Sequence, residues 1–303
     1  MPDDRDLLDA LKPTLHELLD RHLAASREWF PHELVPWERA ADRSPRAAWD
    51  PAAFPLDEGV RSALWLNLLT EDNLPHYFET INRVFYDEAW RVWARRWTAE
   101  EMRHSIVLRD YLTVTCALDP VALERARMAQ VSGAQVPQPS TVPDALVYVA
   151  LQELATRVAH WNAGERIGDP AGRAVMRRVA ADENLHHLFY RDLVAAALAV
   201  DPATVLLAID RQVRTFEMPG TGIPDFDVHA RRVARAGIYD LALYHDAVLV
   251  PVLVRHWRLP ELEGLTGEAE AARERVLAHL ARLGNAARHL AERRARQTSP
   301  ASV

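Results

Sequence analysis

Apolar residues recur every three or four positions along most of the chain, the spacing that places them on one face of an α-helix. The first such segment covers residues 4–25, where leucines repeat at this spacing. The same pattern predicts helices over 60–85, 88–115, 120–129, 145–165, 173–199, 204–217 and 228–254, and a charged helix over 262–296. No alternating apolar pattern of useful strand length occurs. The predicted fold class is therefore all-α.

The helical segments suggest one domain that spans residues 1–303. We predict a core over about 45–255. Residues 1–44 would form an N-terminal helix and a cover rich in proline and tryptophan, and 256–303 a C-terminal helical tail.

Composition narrows the possible functions. The net charge of −7 argues against general affinity for nucleic acid. Cys116 is the sole cysteine, so neither an internal disulfide nor a cluster of thiolates can form. The start of the chain is acidic where a secretory signal would be basic and then apolar, and no apolar stretch is long enough to span a bilayer. We therefore predict a cytoplasmic protein with no membrane span.

Two matching sets of residues carry the chemistry. Each set is a lone glutamate followed, thirty positions later, by the glutamate of a Glu-x-x-His motif. Each glutamate falls on the apolar stripe of its helix, and each pair of helices places its glutamates at similar distances from the intervening turn. The candidate metal ligands are Glu71, Glu101, His104, Glu153, Glu183 and His186.

Buried carboxylates without partners would cost several kcal/mol or be neutralised by protonation, so four that converge require cations. Oxygen and imidazole ligands suit Fe or Mn, and the arrangement is the one known from di-iron and di-manganese carboxylate bundles. We therefore predict a dinuclear site for two Fe ions, with Mn as a substitute. The alternative is a set of structurally paired carboxylates.

Pro75 lies four residues after Glu71 and cannot donate the backbone hydrogen bond that the Glu71 carbonyl would accept. The helix over 60–85 is therefore expected to loosen beside this candidate ligand.

The chain resembles the soluble acyl-acyl-carrier-protein desaturases over roughly residues 45–255. The strings that carry the resemblance are TEDNLP at 70–75, WTAEEMRH at 97–104, QE at 152–153 and ADENLH at 181–186. The resemblance implies a ferritin-like four-helix bundle core with additional peripheral helices. It also implies O₂-dependent insertion of a double bond into an acyl chain on acyl carrier protein, a ferredoxin-type electron donor, and a homodimer.

The resemblance assigns further residues. Thr156, three residues after Glu153, falls on the family's active-site threonine, where it could deliver a proton; alternatively its hydroxyl simply bonds to the helix backbone. Trp49 and Asp182 look like the tryptophan and aspartate that flank a ligand histidine in the family's electron route. Asp182 would also suit an orienting partner for an imidazole, and Trp49 would also suit core packing.

Two arginine groups could receive an acidic carrier protein, although a solvated helical face explains either group as well. They are Arg231, Arg232 and Arg235, and Arg173, Arg177 and Arg178.

Two other functions fit the same ligand pattern. A di-iron oxygenase could hydroxylate or N-oxygenate a carrier-bound or free substrate with an identical set of ligands. A ferritin-like protein could bind iron without catalysis, although the length of the chain and its tryptophan-rich cover disfavour that reading.

Overall fold

The computed structural model describes residues 4–40, 48–85 and 87–298, and these residues form helices and irregular segments with no strand. The predicted all-α class is confirmed. The predicted start of the core, near residue 45, lies outside the described residues.

Twelve α-helices occur in the described part of the chain, together with short 3₁₀ turns and one π-helix. The α-helices are α1 (Asp4–Ala25), α2 (Pro31–Leu34), α3 (Glu58–Glu71), α4 (Leu74–Val84), α5 (Glu88–Thr115), α6 (Pro120–Gly133), α7 (Val142–Arg166), α8 (Pro170–Val200), α9 (Pro202–Thr215), α10 (Phe226–Arg235), α11 (Leu241–Leu243) and α12 (Gly267–Thr298). The 3₁₀ turns are Trp37–Ala40, Pro51–Ala53 and Leu259–Glu261, and the π-helix is Tyr244–His256.

Helices α3, α5, α7 and α8 form a four-helix bundle, in which α3 and α8 each contact both α5 and α7. Capping residues fix where the core helices begin. The Asp87 carboxylate accepts a hydrogen bond from the backbone N–H of Trp90 at the start of α5. Asp169 does the same for Gly172 at the start of α8, where Pro170 occupies the first turn.

The loosening predicted from Pro75 is confirmed, because α3 ends at Glu71 and α4 begins at Leu74. Buried polar contacts hold this break. The Asn73 amide donates to the Pro219 carbonyl at 3.2 Å and accepts from Gln130 at 3.1 Å. The break therefore has a fixed geometry rather than a frayed helix end.

The remaining helices cover the bundle. Helix α1 packs against α5, α7 and α8, and α10 packs along α3. Helix α9 lies between the bundle and α12, whose Ala272 and Val276 are fully buried. The predicted C-terminal helix is thus part of the packed structure.

The prediction of one helix over 228–254 is wrong. Helix α10 ends at Arg235, and Gly237 adopts a left-handed backbone with φ of 65° that a side chain would strain. The chain restarts at α11, where Asp240 accepts a hydrogen bond from the Leu243 N–H at 3.0 Å. A glycine followed by a capping aspartate is a stop and start signal that the apolar spacing alone obscures.

Among the described residues, no helix combines the length and the apolar character needed to cross a bilayer.

The packing of α1 predicts a measurable difference between two of its leucines. Leu15 is fully buried, whereas Leu23 on the same helix is 45% exposed. Leu15→Ala should lower the free energy of unfolding by about 2–5 kcal/mol, since it leaves a cavity. Leu23→Ala should change it by less than about 0.5 kcal/mol. Chemical denaturation measures both; equal effects would contradict the placement of α1 on the bundle.

Candidate metal centre

The structure brings all six sequence-predicted ligands together in the middle of the bundle. Glu71 comes from the last turn of α3, and Glu153 from the middle of α7. The two Glu-x-x-His motifs come from α5 and α8. Each of the six side chains is buried, with no more than 7% of any residue exposed.

The six side chains form two groups of four that share two glutamates. One group is Glu71, Glu101, His104 and Glu183. The other is Glu101, Glu153, Glu183 and His186. Within each group the candidate ligand atoms lie within 4.8 Å of one another. Because Glu101 and Glu183 belong to both groups, the cluster can hold two adjacent cations with these carboxylates between them.

Both histidines turn Nδ1 toward the carboxylates. His104 Nδ1 lies 3.3 Å from Glu183 Oε1 and 3.4 Å from Glu101 Oε2. His186 Nδ1 lies 2.8 Å from Glu101 Oε1 and 3.7 Å from Glu153 Oε2.

Four buried atoms of this cluster make no hydrogen bond of acceptable geometry among the described residues, although two of them, His186 Nδ1 and Glu101 Oε1, lie 2.8 Å apart. They are Glu101 Oε1, Glu153 Oε2, His104 Nδ1 and His186 Nδ1. Buried polar atoms are normally hydrogen-bonded, so orphaned atoms of this kind need an explanation. Each is a lone-pair donor of the type that binds iron or manganese. The residues present therefore fit metal ions.

The pKa values of the clustered glutamates also support metal binding. Burial and the nearby Glu183 carboxylate raise the pKa of Glu153 well above its ordinary value, and the same two causes raise the pKa of Glu101. Without cations, some of these carboxylates would have to carry protons. Bound metal ions would replace those protons and allow the carboxylates to remain ionised.

An acidic residue that is not one of the six candidate ligands lies next to the Nε2 atom of each histidine. His186 Nε2 lies 3.0 Å from Glu100, and His104 Nε2 lies 3.5 Å from Asp182. Each acid directly precedes the shared glutamate of its own helix and binds the histidine of the other helix. Such partners orient a metal-binding imidazole and increase its basicity.

Asp182, the acid beside His104, remains a carboxylate. Burial acts to raise its pKa, but the hydrogen bond with His104 and the charge of Arg178 outweigh burial and lower the pKa to about 2.

The structure places Trp49 away from the cluster, which corrects its predicted pairing with Asp182. The Trp49 indole donates to the Cys116 carbonyl, just beyond the end of α5. Trp29 takes the predicted place instead: its indole donates to Asp182 at 2.8 Å and its ring stacks on His104 with 6.5 Å between ring centres. Trp29 lies in the segment after α1, and no spacing pattern links it to the ligand helices.

Two further buried histidines, one beside the supporting acid Glu100 and one beside a candidate ligand, were not identified from the sequence. His22 on α1 lies 2.8 Å from the same Glu100 oxygen that binds His186. His160 on α7 lies 2.9 Å from Glu71. The sequence could have identified His160, because it follows Glu153 by seven residues and Thr156 by four and therefore lies on the same helix face.

Thr156 faces the cluster as predicted from its spacing. Its hydroxyl lies 3.2 Å from Glu183 Oε2 and 3.1 Å from the backbone carbonyls of Gln152 and Glu153. The hydroxyl can therefore donate its one hydrogen bond either to a backbone carbonyl or to the Glu183 carboxylate.

Two apolar cavities lie beside residues that contact the cluster. The Trp97 cavity, of about 40 Å³, is lined by residues that include Tyr77, Ile81, Trp97, Tyr148, Val149 and Tyr190. The Thr156 cavity, of about 90 Å³, is lined by residues that include Thr70, Thr156, His160, Met218, Phe226 and Tyr239. Each cavity wall contains a residue that contacts a candidate ligand: Trp97 donates to Glu153 at 3.0 Å, and Thr156 donates to Glu183 at 3.2 Å.

Comparison with known proteins places the chain in a family. Residues 3–303 match the family model described as "Fatty acid desaturase". A Mycobacterium tuberculosis protein provisionally named acyl-[acyl-carrier-protein] desaturase DesA1 is 38% identical over 284 residues, which cover 90% of this chain and 84% of DesA1. The chloroplastic acyl-[acyl-carrier-protein] desaturase 6 of Oryza sativa subsp. japonica is 33% identical over 309 residues, 91% of this chain and 72% of the plant protein.

The crystal structure of Mycobacterium tuberculosis DesA2, also provisionally named an acyl-carrier-protein desaturase, is similar with a TM-score of 0.70. It is 28% identical in sequence, and the match covers 85% of this chain and 97% of DesA2. The predicted ferritin-like bundle with peripheral helices is confirmed. The resemblance drawn from the ligand strings is confirmed as well: the chain belongs to the fatty acid desaturase family.

Proposed function

We propose that the protein is an O₂-dependent desaturase that inserts a double bond into an acyl chain carried on acyl carrier protein. Two apolar cavities beside a buried carboxylate–histidine cluster are the observation that carries this proposal. An acyl chain that enters between the helices meets apolar walls on either side of the cluster. A methylene group without any polar handle is thereby held next to the redox centre.

The six clustered residues would hold two Fe ions, with Mn as a possible substitute. One ion would be held by Glu71, Glu101, His104 and Glu183, and the other by Glu101, Glu153, Glu183 and His186. When bound, the iron pair supplies the O₂ activation that removes two hydrogens from the acyl chain. The reaction consumes one O₂ with two electrons and two protons and releases two waters.

Thr156 is the residue of this chain best placed to move a proton. Its hydroxyl lies within hydrogen-bonding distance of Glu183, and the residue lines the Thr156 cavity. Rotation about one bond lets the hydroxyl change its hydrogen-bond acceptor. Trp97 has a different role, since its indole fixes Glu153 while its ring forms a wall for the acyl chain.

Electrons would enter on the side of Trp29. This buried indole, Asp182 and His104 form a continuous hydrogen-bonded path to the cluster. Arg103 lies over the Trp29 ring at 4.9 Å and adds positive charge there. A ferredoxin-type protein is the electron donor that we propose. A homodimer and a cytoplasmic location stay predictions.

The decisive experiment starts from iron-loaded protein that is reduced without oxygen by ferredoxin and its reductase. O₂ and a panel of acyl-[acyl carrier protein] substrates are then added, and the acyl products are weighed by mass spectrometry. We expect a product that has lost two hydrogens. A product that has gained an oxygen atom would contradict desaturation and identify an oxygenase, and iron uptake without any product would favour a binding protein.

The crowding of carboxylates predicts how one neutral substitution acts. Glu153→Gln keeps the size of the side chain and removes a charge that burial and Glu183 oppose. The metal-free variant should melt at or above the temperature of the metal-free wild type. Added Fe²⁺ should raise the melting temperature of the wild type by several degrees and that of the variant by less. Equal stabilisation by iron would contradict the role of Glu153 as a ligand.

Glu17 provides the matched control for this comparison, since it is exposed on α1. Glu17→Gln should leave both melting temperatures unchanged.

The position of Thr156 predicts a selective loss of turnover. Thr156→Val keeps the shape of the side chain and removes only the hydroxyl, so kcat should fall by about 10-fold or more while iron content stays the same. Thr98→Val is the control, because the Thr98 hydroxyl bonds to the Ala94 carbonyl alone. Unchanged kcat in Thr156→Val would show that its hydroxyl serves only the helix backbone.

A further inference from the structure

We propose that the exposed arginine face of α10, formed by Arg231 and Arg235, is the surface on which the acidic carrier protein docks. This inference rests on the proposed function, because an acyl carrier substrate is what requires such a surface. The alternative surface is the arginine group at the start of α8. The two surfaces differ in their position relative to the Thr156 cavity and in the ion pairs that their arginines form.

Position favours α10. Its inward residues, Phe226, Ala230 and Val233, form one wall of the Thr156 cavity. An acyl chain is covalently tethered to its carrier, so the carrier must sit close to the cavity that receives the chain. A carrier bound to the outer face of α10 is separated from that cavity by the thickness of one helix.

The seam between α3 and α10 offers a path from the surface to that cavity. A surface groove of about 230 Å³ runs beside the seam and is lined by Ser62 and Trp65 of α3 and His229 of α10, among others. Ala63 and Leu66, the next residues of α3, already line the Thr156 cavity. Neighbouring residues of α3 thus line the groove and the cavity, and the proposal routes the tether between carrier and acyl chain along this seam.

Charge favours α10 as well. Arg231 and Arg235 are both exposed and lie one turn apart. Neither forms an ion pair within the part of the chain that the structure describes. Only Arg232 of this helix faces an acid, Glu58, at 3.4 Å. Two unneutralised guanidinium groups on one face attract an acidic partner and steer its approach.

The arginines at the start of α8 already have acidic partners, although Arg173 and Arg177 share one carboxylate. Arg173 and Arg177 both pair with Glu165, at 2.5 and 2.8 Å. Arg178 pairs with Asp182. Arg177 also lies over the exposed ring of Trp161 at 5.0 Å.

The test compares two matched double variants of the iron-loaded protein, Arg231→Gln/Arg235→Gln and Arg173→Gln/Arg177→Gln. Each removes two arginines spaced by four residues. The dissociation constant for a stearoyl-[acyl carrier protein] is measured by fluorescence anisotropy, without O₂, at low and high salt. We expect the α10 variant to bind about fivefold to tenfold more weakly at low salt, with a smaller difference at high salt. The α8 variant should bind like the wild type.

Turnover measured separately distinguishes docking from catalysis. At saturating substrate the α10 variant should keep the wild-type kcat, and Arg231→Lys/Arg235→Lys should restore the affinity. An unchanged dissociation constant in the α10 variant, or weakening confined to the α8 variant, would overturn the docking surface. Tight carrier binding without turnover in the wild type would instead contradict the proposed function and leave α10 as the docking face.

Discussion

The structure depends on the convergence of four carboxylates in a place that water does not reach. Glu71, Glu101, Glu153 and Glu183 come from four different helices, and the bundle buries all of them. Like charges this close cannot all persist without positive partners. The two histidines and the orphaned Nδ1 and carboxylate atoms show how the cluster is built for cations. Packing four helices around this site requires that cations or protons offset the buried negative charge.

The outer contacts follow from the same constraint. Each shared glutamate is preceded by an acid, Glu100 or Asp182, that holds the histidine of the opposite helix. These acids are in turn bound by His22 and by Trp29, which belong to α1 and to the segment after it. The N-terminal part of the chain is therefore part of the site's support as well as a cover over the bundle.

Much of this could be predicted from sequence because periodicity reports which helix face is buried. The ligand set and the break beside Pro75 follow from spacing and from the missing N–H of proline. Trp29 and His22 could not be found in this way, since they reach the cluster through tertiary packing of distant segments. The split of 228–254 was missed for a different reason: apolar spacing continues across the turn and obscures the glycine and the capping aspartate, Gly237 and Asp240, that separate the two helices.

Anomalous X-ray diffraction at the iron absorption edge tests the central claim most directly. Crystals of the iron-loaded protein should show two iron peaks per chain inside the bundle, with Glu101 and Glu183 between them. A single peak, or iron found only at the surface, would contradict the dinuclear centre on which the account depends.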